Sequence, residues 1–395
     1  MFRLVRGCSL VRRQDIMNYN IDTLVMTAMR DNNKKRPYLY VNPIQGKHYP
    51  VNPIKVKEMC SSLADKINYQ YKGEKLLVVG FAETATGIAA TISLLLKNAA
   101  YFITTTRENY EGEDYLYFTE SHSHAVDQKV YSRNFDRVID DVDRIVFIDD
   151  EITTGNTICK LIECIRSSFT FKNCKYTIAS ILNSTPHDRI KELQQMGIDC
   201  VYLCKIPYEY KNRQVKKCDV GEKMIDAGTL DLSKEIKNKY YINSSFDMRF
   251  ANEMSVIRKS VTEEKNQVIK AFENEIYYND LKNLLVLGSE EFMYPTIEIG
   301  SEIAEKYDIN VKIHSTTRSP ILVSDDPSYP LKSRYQIRSM YDEYRTTYVY
   351  NLTQYDSVIL FTESNHDKNY DIIRALEAEG NTNIFVFEWT KNDEE

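Results

Sequence analysis

The run Arg144-Ile145-Val146-Phe147-Ile148-Asp149-Asp150-Glu151-Ile152-Thr153-Thr154-Gly155-Asn156-Thr157 decides the reading of this chain. Residues 144–148 have the apolar, β-branched character of a buried strand, and two adjacent carboxylates follow. A hydroxyl-rich turn with one glycine leads into a helix carrying Ile158, Leu161, Ile162 and Ile165 at helical spacing. Each part has a chemical use. Backbone amides at a tight turn opening a helix make an anion nest, to which Thr153, Thr154 and Thr157 add hydroxyls. Gly155 allows a positive φ and a close approach of backbone to ligand. Asp149 and Asp150 sit where open α/β sheets bind ligands, at the carboxyl end of a strand. There they can accept hydrogen bonds from neighbouring ribose hydroxyls, so a ribose 5-phosphate fits the segment from both ends. The plainer reading is an acidic strand end capping a helix, with Thr153 or Thr154 as the cap.

This segment resembles the phosphoribosyl-pyrophosphate (PRPP) signature of type I phosphoribosyltransferases. The resemblance implies that Asp149 and Asp150 hold the ribose 2- and 3-hydroxyls, and that Thr153, Thr154, Gly155, Asn156 and Thr157 wrap the 5-phosphate. It also implies Mg²⁺ carried in with PRPP. In such enzymes the loop after the first core strand meets the pyrophosphate, which here is Ala82, Glu83, Thr84, Ala85 and Thr86. Glu83 is awkward beside pyrophosphate unless Mg²⁺ and its waters intervene.

The chain of 395 residues is long enough for two domains. Its 43% hydrophobic and 27% charged residues suit packed cores with a charged surface, and no apolar run reaches membrane-spanning length. A net charge of -6 argues against nucleic acid as the main partner. Eight cysteines without a C-x-x-C pair argue against zinc, and a cytoplasmic protein with reduced thiols is expected. Residues 1–13 are too short and too interrupted for a targeting peptide, and Met17 is an alternative start.

The chain also repeats itself. Leu76-Leu77-Val78-Val79-Gly80 runs into Phe81-Ala82-Glu83, and Leu284-Leu285-Val286-Leu287-Gly288 into Ser289-Glu290-Glu291. A helix is expected after each, then a strand ending in Thr-Thr-Arg, at 105–107 and 316–318. A further apolar strand follows in both, at 144–148 and 356–361, but Thr362-Glu363-Ser364-Asn365-His366 lacks the acidic pair and the glycine turn. The second half therefore reads as the same α/β plan without the PRPP nest.

The run Ser315-Thr316-Thr317-Arg318-Ser319-Pro320 resembles the motif of the TRSP domain, found after a phosphoribosyltransferase domain in tellurite-resistance and stress operons of bacteria. Gly46-Lys47-His48-Tyr49-Pro50, Glu120-Ser121-His122-Ser123-His124-Ala125, Leu287-Gly288-Ser289-Glu290-Glu291-Phe292 and Tyr350-Asn351-Leu352 match its companion motifs in order. The fold implied is a type I phosphoribosyltransferase-like parallel sheet flanked by helices, then a second, degenerate domain of the same kind. The boundaries expected are 1–30 as an N-terminal extension, 31–205 as the PRPP domain, 206–265 as a connector or substrate cover, and 266–395 as the TRSP domain. The implied role is transfer of phosphoribosyl to a small-molecule acceptor, with a non-catalytic PRPP sensor as the alternative. A second copy of the chain or other stress-operon proteins are the candidate partners.

Segment 105–133 corresponds to the hood loop that closes over PRPP in the family, where Arg107 can stabilise the departing pyrophosphate. Its many carboxylates depart from a simple pyrophosphate clamp. His122 and His124 share a face on a strand, too few for a metal site but suited to proton transfer. Lys47 and His48 lie in an extended segment expected to roof the acceptor pocket. In the second half, Glu290, Glu291, Thr317, Arg318 and Ser319 converge at matching strand ends. They predict a pocket for a polar anion there, or a salt bridge that only fixes the loop.

Overall fold

Alternate residues of one strand in each half explain the architecture. Leu76 and Val78 face a core shared by the whole molecule, while Leu77 and Val79 face an outer core of the first half. Leu284 and Val286 join the same shared core, and Leu285 and Leu287 an outer core of the second half. Strands buried on both faces read as continuous apolar runs, as in parallel sheets covered by helices. The computed structural model describes residues 19–31, 37–118, 128–169, 174–207, 224–232, 235–276, 280–364 and 371–391.

The first half opens with α1 (Ile21–Leu24) and a hairpin of β1 (Met26–Met29) and β2 (Tyr38–Val41). Then come α2 (Pro53–Gln70), β3 (Leu76–Gly80), α3 (Thr86–Leu95) and β4 (Ala99–Thr104). An antiparallel pair, β5 (Tyr115–Tyr117) and β6 (Lys129–Tyr131), precedes α4 (Phe135–Asp140). The half ends with β7 (Arg144–Ile152), α5 (Asn156–Ser168), β8 (Lys175–Asn183), α6 (His187–Gln195) and β9 (Ile198–Lys205).

The stretch read as a connector carries β10 (Ile225–Asp226), β11 (Asn238–Ser244), β12 (Asn252–Glu253) and the start of α7 (Met254–Glu275). Beyond it lie β13 (Asn283–Gly288), α8 (Tyr294–Lys306) and β14 (Asn310–Ser315). The antiparallel pair β15 (Arg334–Arg338) and β16 (Thr346–Tyr350) follows. Last come β17 (Ser357–Thr362), α9 (Asp371–Ala378) and β18 (Ile384–Lys391).

The two main sheets run β12-β4-β3-β7-β8-β9 and β11-β18-β17-β13-β14. Apart from β12 they are parallel, so the expected α/β class holds for both. Their central order is the same, with β4-β3-β7-β8 matched by β14-β13-β17-β18. Fine detail repeats too. Thr105 N donates to Gly80 O at 2.8 Å, and Thr316 N to Gly288 O at 3.0 Å. Ala82 N donates to Thr105 Oγ1 at 2.8 Å, and Glu290 N to Thr316 Oγ1 at 2.9 Å. Thr106 bridges to Lys129 as Thr317 bridges to Tyr348. One element breaks the match: the strand beside β8 follows it in the chain, whereas β11 precedes its neighbour β18.

The halves are joined by exchange. Helices α2, α3, α7 and α8 pack on one another in one layer, and α2 touches β14 while α7 touches β4. Val51, just ahead of α2, pairs antiparallel with Ile313 of the second sheet, with bonds of 3.0 and 2.7 Å. Asn252, just ahead of α7, pairs antiparallel with Phe102 of the first. Phe102 lies opposite Val78 and Ile313 opposite Val286, the same rung in each sheet. Close contact of α3 with α8 needs Gly87, where a Cβ would lie 2.7 Å from the Met293 Cβ. The β1–β2 hairpin likewise packs on the second half, through Ala28, Leu39, Ile321 and Tyr350.

Candidate functional site

Burial of Ile145 to Ile148 fixes β7, and the strand then carries Asp149 and Asp150 half-exposed beyond its apolar part. Asp149 accepts a hydrogen bond from the Asp150 amide at 2.9 Å. Enclosure and the neighbouring Asp150 charge push the Asp149 carboxyl above the ordinary carboxylate range. Gly155 has φ of 73°, in the left-handed region that an anion nest requires, and is the N-cap of α5. Gly155 rather than Thr153 or Thr154 is the N-cap residue, while Thr154 Oγ1 accepts from the Asn156 amide at 3.3 Å, so the plainer capping reading holds in part. Four apolar residues read at helical spacing, Ile158, Leu161, Ile162 and Ile165, are all buried.

Sequence reading missed Arg189. From α6 its Nε donates to Thr154 O at 3.2 Å and its Nη2 to Asn156 Oδ1 at 3.1 Å, which brings a cation to the Gly155 turn. The only sequence signal was a basic residue in the first turn of the helix after the neighbouring strand.

The second loop is held from three sides. Thr105 fixes the Ala82 amide, Gln128 Nε2 donates to Ala82 O at 2.9 Å, and Gln45 Nε2 to Thr84 O at 2.8 Å. Ala85 is the N-cap of α3, and the Ala82–Glu83 peptide is cis. Thr86 Oγ1 reaches into the other half, donating to Glu291 O at 2.6 Å.

Glu83 is buried against a cluster built from both halves. Lys47 Nζ lies 2.7 Å from its carboxylate and also donates to Glu290 O at 2.5 Å and Thr316 O at 3.0 Å. Lys47 has no exposed surface. The Arg318 amide donates to Glu83 at 3.2 Å, and its Nε sits 2.8 Å from Glu290. Arg318 also pairs with Glu108 and lies 3.6 Å from Glu291. Arg345 joins at 2.9 Å from Glu108 and 3.3 Å from Glu290. Burial alone would raise the Glu83 carboxyl, but Lys47 and Arg318 hold it at about 2. Burial raises Glu290 despite the same arginines.

The contacts are reciprocal. Glu83 and Glu291 stand three residues after Gly80 and Gly288. Glu83 accepts from the Arg318 amide, and Glu291 from the Arg107 amide at 3.0 Å and Thr106 Oγ1 at 2.6 Å. Each half therefore caps the Thr-Thr-Arg strand end of the other.

The structure thus brings Ala82–Thr86, Arg107, Lys47, Glu290, Glu291 and Arg318 together. Thr317 pairs with Tyr348 and accepts from the Ser319 amide at 3.2 Å, shaping the Arg318 turn. His48 is buried beside Lys47, and its imidazole is pulled down to about 3, first by burial and then by that charge. Arg107 Nε has no hydrogen-bond partner among the described residues. His122 and His124 lie outside the described residues. For Mg²⁺, Asp149 and Asp150 offer hard oxygen donors beside the Gly155 turn. No group of three or more His, Cys, Asp or Glu among the described residues could by itself hold a metal ion. Among the described residues no helix is long and apolar enough to cross a membrane.

A family described as phosphoribosyl transferase matches residues 24–206, and the TRSP domain found C-terminal to it matches residues 250–376. Among solved structures, the chain is similar to an APRTase from Giardia lamblia complexed with 9-deazaadenine, at 13% identity and a TM-score of 0.34. The match covers 47% of this chain and 95% of that one. It is also similar to an adenine phosphoribosyl transferase from Trypanosoma brucei in complex with AMP, pyrophosphate and ribose-5-phosphate. There the identity is 13% and the TM-score 0.34, covering 52% of this chain and 85% of that one. A hypoxanthine-guanine phosphoribosyltransferase from Bacillus anthracis gives 15% identity and a TM-score of 0.25, covering 39% and 79%. No curated protein matches by sequence. The two family matches follow one another along most of the chain, which belongs to the phosphoribosyltransferases, enzymes of the glycosyltransferase class, in the family that carries a C-terminal TRSP domain.

Proposed function

We propose that the first half binds PRPP with Mg²⁺ and transfers its phosphoribosyl group to a nitrogen nucleophile of a small-molecule acceptor. The observation that carries this reading is the half-exposed Asp149–Asp150 pair leading into the positive-φ Gly155 turn at the start of α5. Asp149 and Asp150 orient the ribose hydroxyls, residues 153–157 the 5-phosphate with Arg189 behind them, and Ala82 to Thr86 the pyrophosphate. The C1–O bond to pyrophosphate breaks with its electron pair leaving on oxygen. The nitrogen lone pair forms the C1–N bond, and the nitrogen then gives up its proton, with His122 and His124 as the proposed acceptors. Mg²⁺ bound with PRPP supplies charge neutralisation of the leaving pyrophosphate. Arg107 adds a guanidinium on the same side. Catalysis is then mainly positioning and electrostatics. Six free cysteines among the described residues support a reducing compartment such as the cytoplasm.

The test is pyrophosphate release from PRPP across a panel of nitrogen acceptors, with thermal shift in parallel. PRPP should raise the melting temperature of the native protein. The Asp149→Asn, Asp150→Asn double variant should stay folded, lose that shift, and lose on the order of 100-fold in rate. An unchanged shift in the variant overturns the site. A shift without pyrophosphate release from any acceptor favours a PRPP sensor instead.

A further inference from the structure

The second sheet has its own cavity at the carboxyl ends of its strands, of about 410 Å³ and lined from both halves. Its position is informative. In the first sheet Gly80 lies opposite Ile148, and in the second Gly288 lies opposite Phe361. Asp150 is two residues past Ile148, and Glu363 two past Phe361, so Glu363 occupies the place of Asp150. It lines the cavity, as does Glu291, the counterpart of Glu83.

The lining is unlike a phosphate site. Asp247, Glu291, Glu363 and Glu388 contribute four carboxylates, of which Glu388 is paired with Lys239 at 2.8 Å, and among the described residues Arg249 is the one basic residue that lines it. Arg249 is buried and committed to acids, pairing with Glu363 and lying 3.3 Å from Asp247. Its Nε has no hydrogen-bond partner among the described residues and sits 3.6 Å from Glu291. An excess of buried carboxylate repels a phosphate and attracts N–H donors and cations. The walls are aromatic. Phe292 and Trp389 meet edge to face at 5.1 Å between centroids, and Phe246 lies 5.8 Å from Tyr294. Such rings take flat partners by stacking and cations on their faces. The volume falls in the range of small-molecule pockets.

We propose that this cavity is a second ligand site, which takes a flat nitrogen heterocycle bearing amino groups, neutral or cationic and without phosphate. The heterocycle lies among the aromatic walls and donates its N–H groups to Glu363 and Glu291. None of its ligand contacts uses Asp149, Asp150 or the Gly155 turn, although Thr86 of the proposed pyrophosphate loop also lines the cavity.

Trp389 is the only tryptophan in the chain, so its fluorescence reports on the cavity wall directly. The full-length protein, without PRPP, is titrated with adenine, guanine and 2-aminobenzimidazole, and in parallel with AMP and inorganic phosphate. At least one heterocycle should change Trp389 emission saturably. AMP should bind at least tenfold more weakly than adenine, and phosphate should have no effect. Glu363→Gln should weaken heterocycle binding at least tenfold. Should that variant fail to fold once Arg249 loses its partner, Phe246→Leu provides the same comparison by removing a wall. The proposal is overturned if no heterocycle gives a saturable change up to millimolar concentration. It is equally overturned if AMP binds as well as adenine, or if a folded variant binds like the native protein.

Discussion

At the scale of single residues, Lys47 carries the most telling environment. An ammonium with no exposed surface survives only because Glu83 and the Glu290 and Thr316 carbonyls surround it. Removing one partner of such a pair leaves a buried, uncompensated charge, which costs about 3–5 kcal/mol. Lys47→Met should therefore destabilise the protein by that amount in urea unfolding. Lys47→Met combined with Glu83→Gln should recover much of the loss, because no charge is then stranded. The sequence placed Lys47 in an extended segment ahead of Pro50 and Pro53, with a site role by resemblance to a motif. Its burial could not be read there, because two of its partners lie more than 240 residues away in the chain. The Gly155 turn was legible for the opposite reason, since strand, acids, turn and helix are contiguous. Arg189 was not, because it reaches the turn from a different helix. Glu363 shows a third case: counting motif letters made the acidic pair look lost, and only sheet register reveals one acid in its place.

At the scale of elements, the segment around Val51 lies across β14 and carries His48 toward His314. Burial pulls His48 down to about 3 and His314 to about 4, from an ordinary value of 6.5. In the unfolded chain both imidazoles take up protons below about pH 6.5, whereas the folded protein resists until far lower pH. Protons then favour the unfolded chain, so stability present above pH 6.5 is lost as the pH falls toward 4, at about 1.4 kcal/mol per histidine per pH unit. Melting temperatures measured from pH 7 to 4.5 should fall steeply, and replacing either histidine by Gln should flatten that slope. The contact of α3 with α8 makes a further prediction. Gly87→Val should cost about 1–3 kcal/mol by urea unfolding, because its side chain meets the Met293 Cβ. The sequence marked both helices, but nothing local in it announces that they face each other across two sheets.

At the scale of the whole molecule, the repeat of strand, glycine turn, helix and Thr-Thr-Arg was readable, and the shared sheet order bears out the common plan. The exchange of Val51 and Asn252 segments between sheets was not readable. Antiparallel pairings of one or two residues leave no periodic signature, and their partners are set by tertiary packing. The same exchange explains why one hydrophobic core runs through both halves.

That crossed arrangement has the form of a dimer written into one chain. In an assembly of two identical chains, every substitution appears twice, so neither copy can change without the other. Here the two copies are encoded separately while a covalent link keeps them at high effective concentration, independent of dilution. One copy can hold its acidic pair and Gly155 turn while its counterpart trades them for Glu363 and an aromatic cavity. The asymmetry of the molecule is the freedom that fusing the two copies confers.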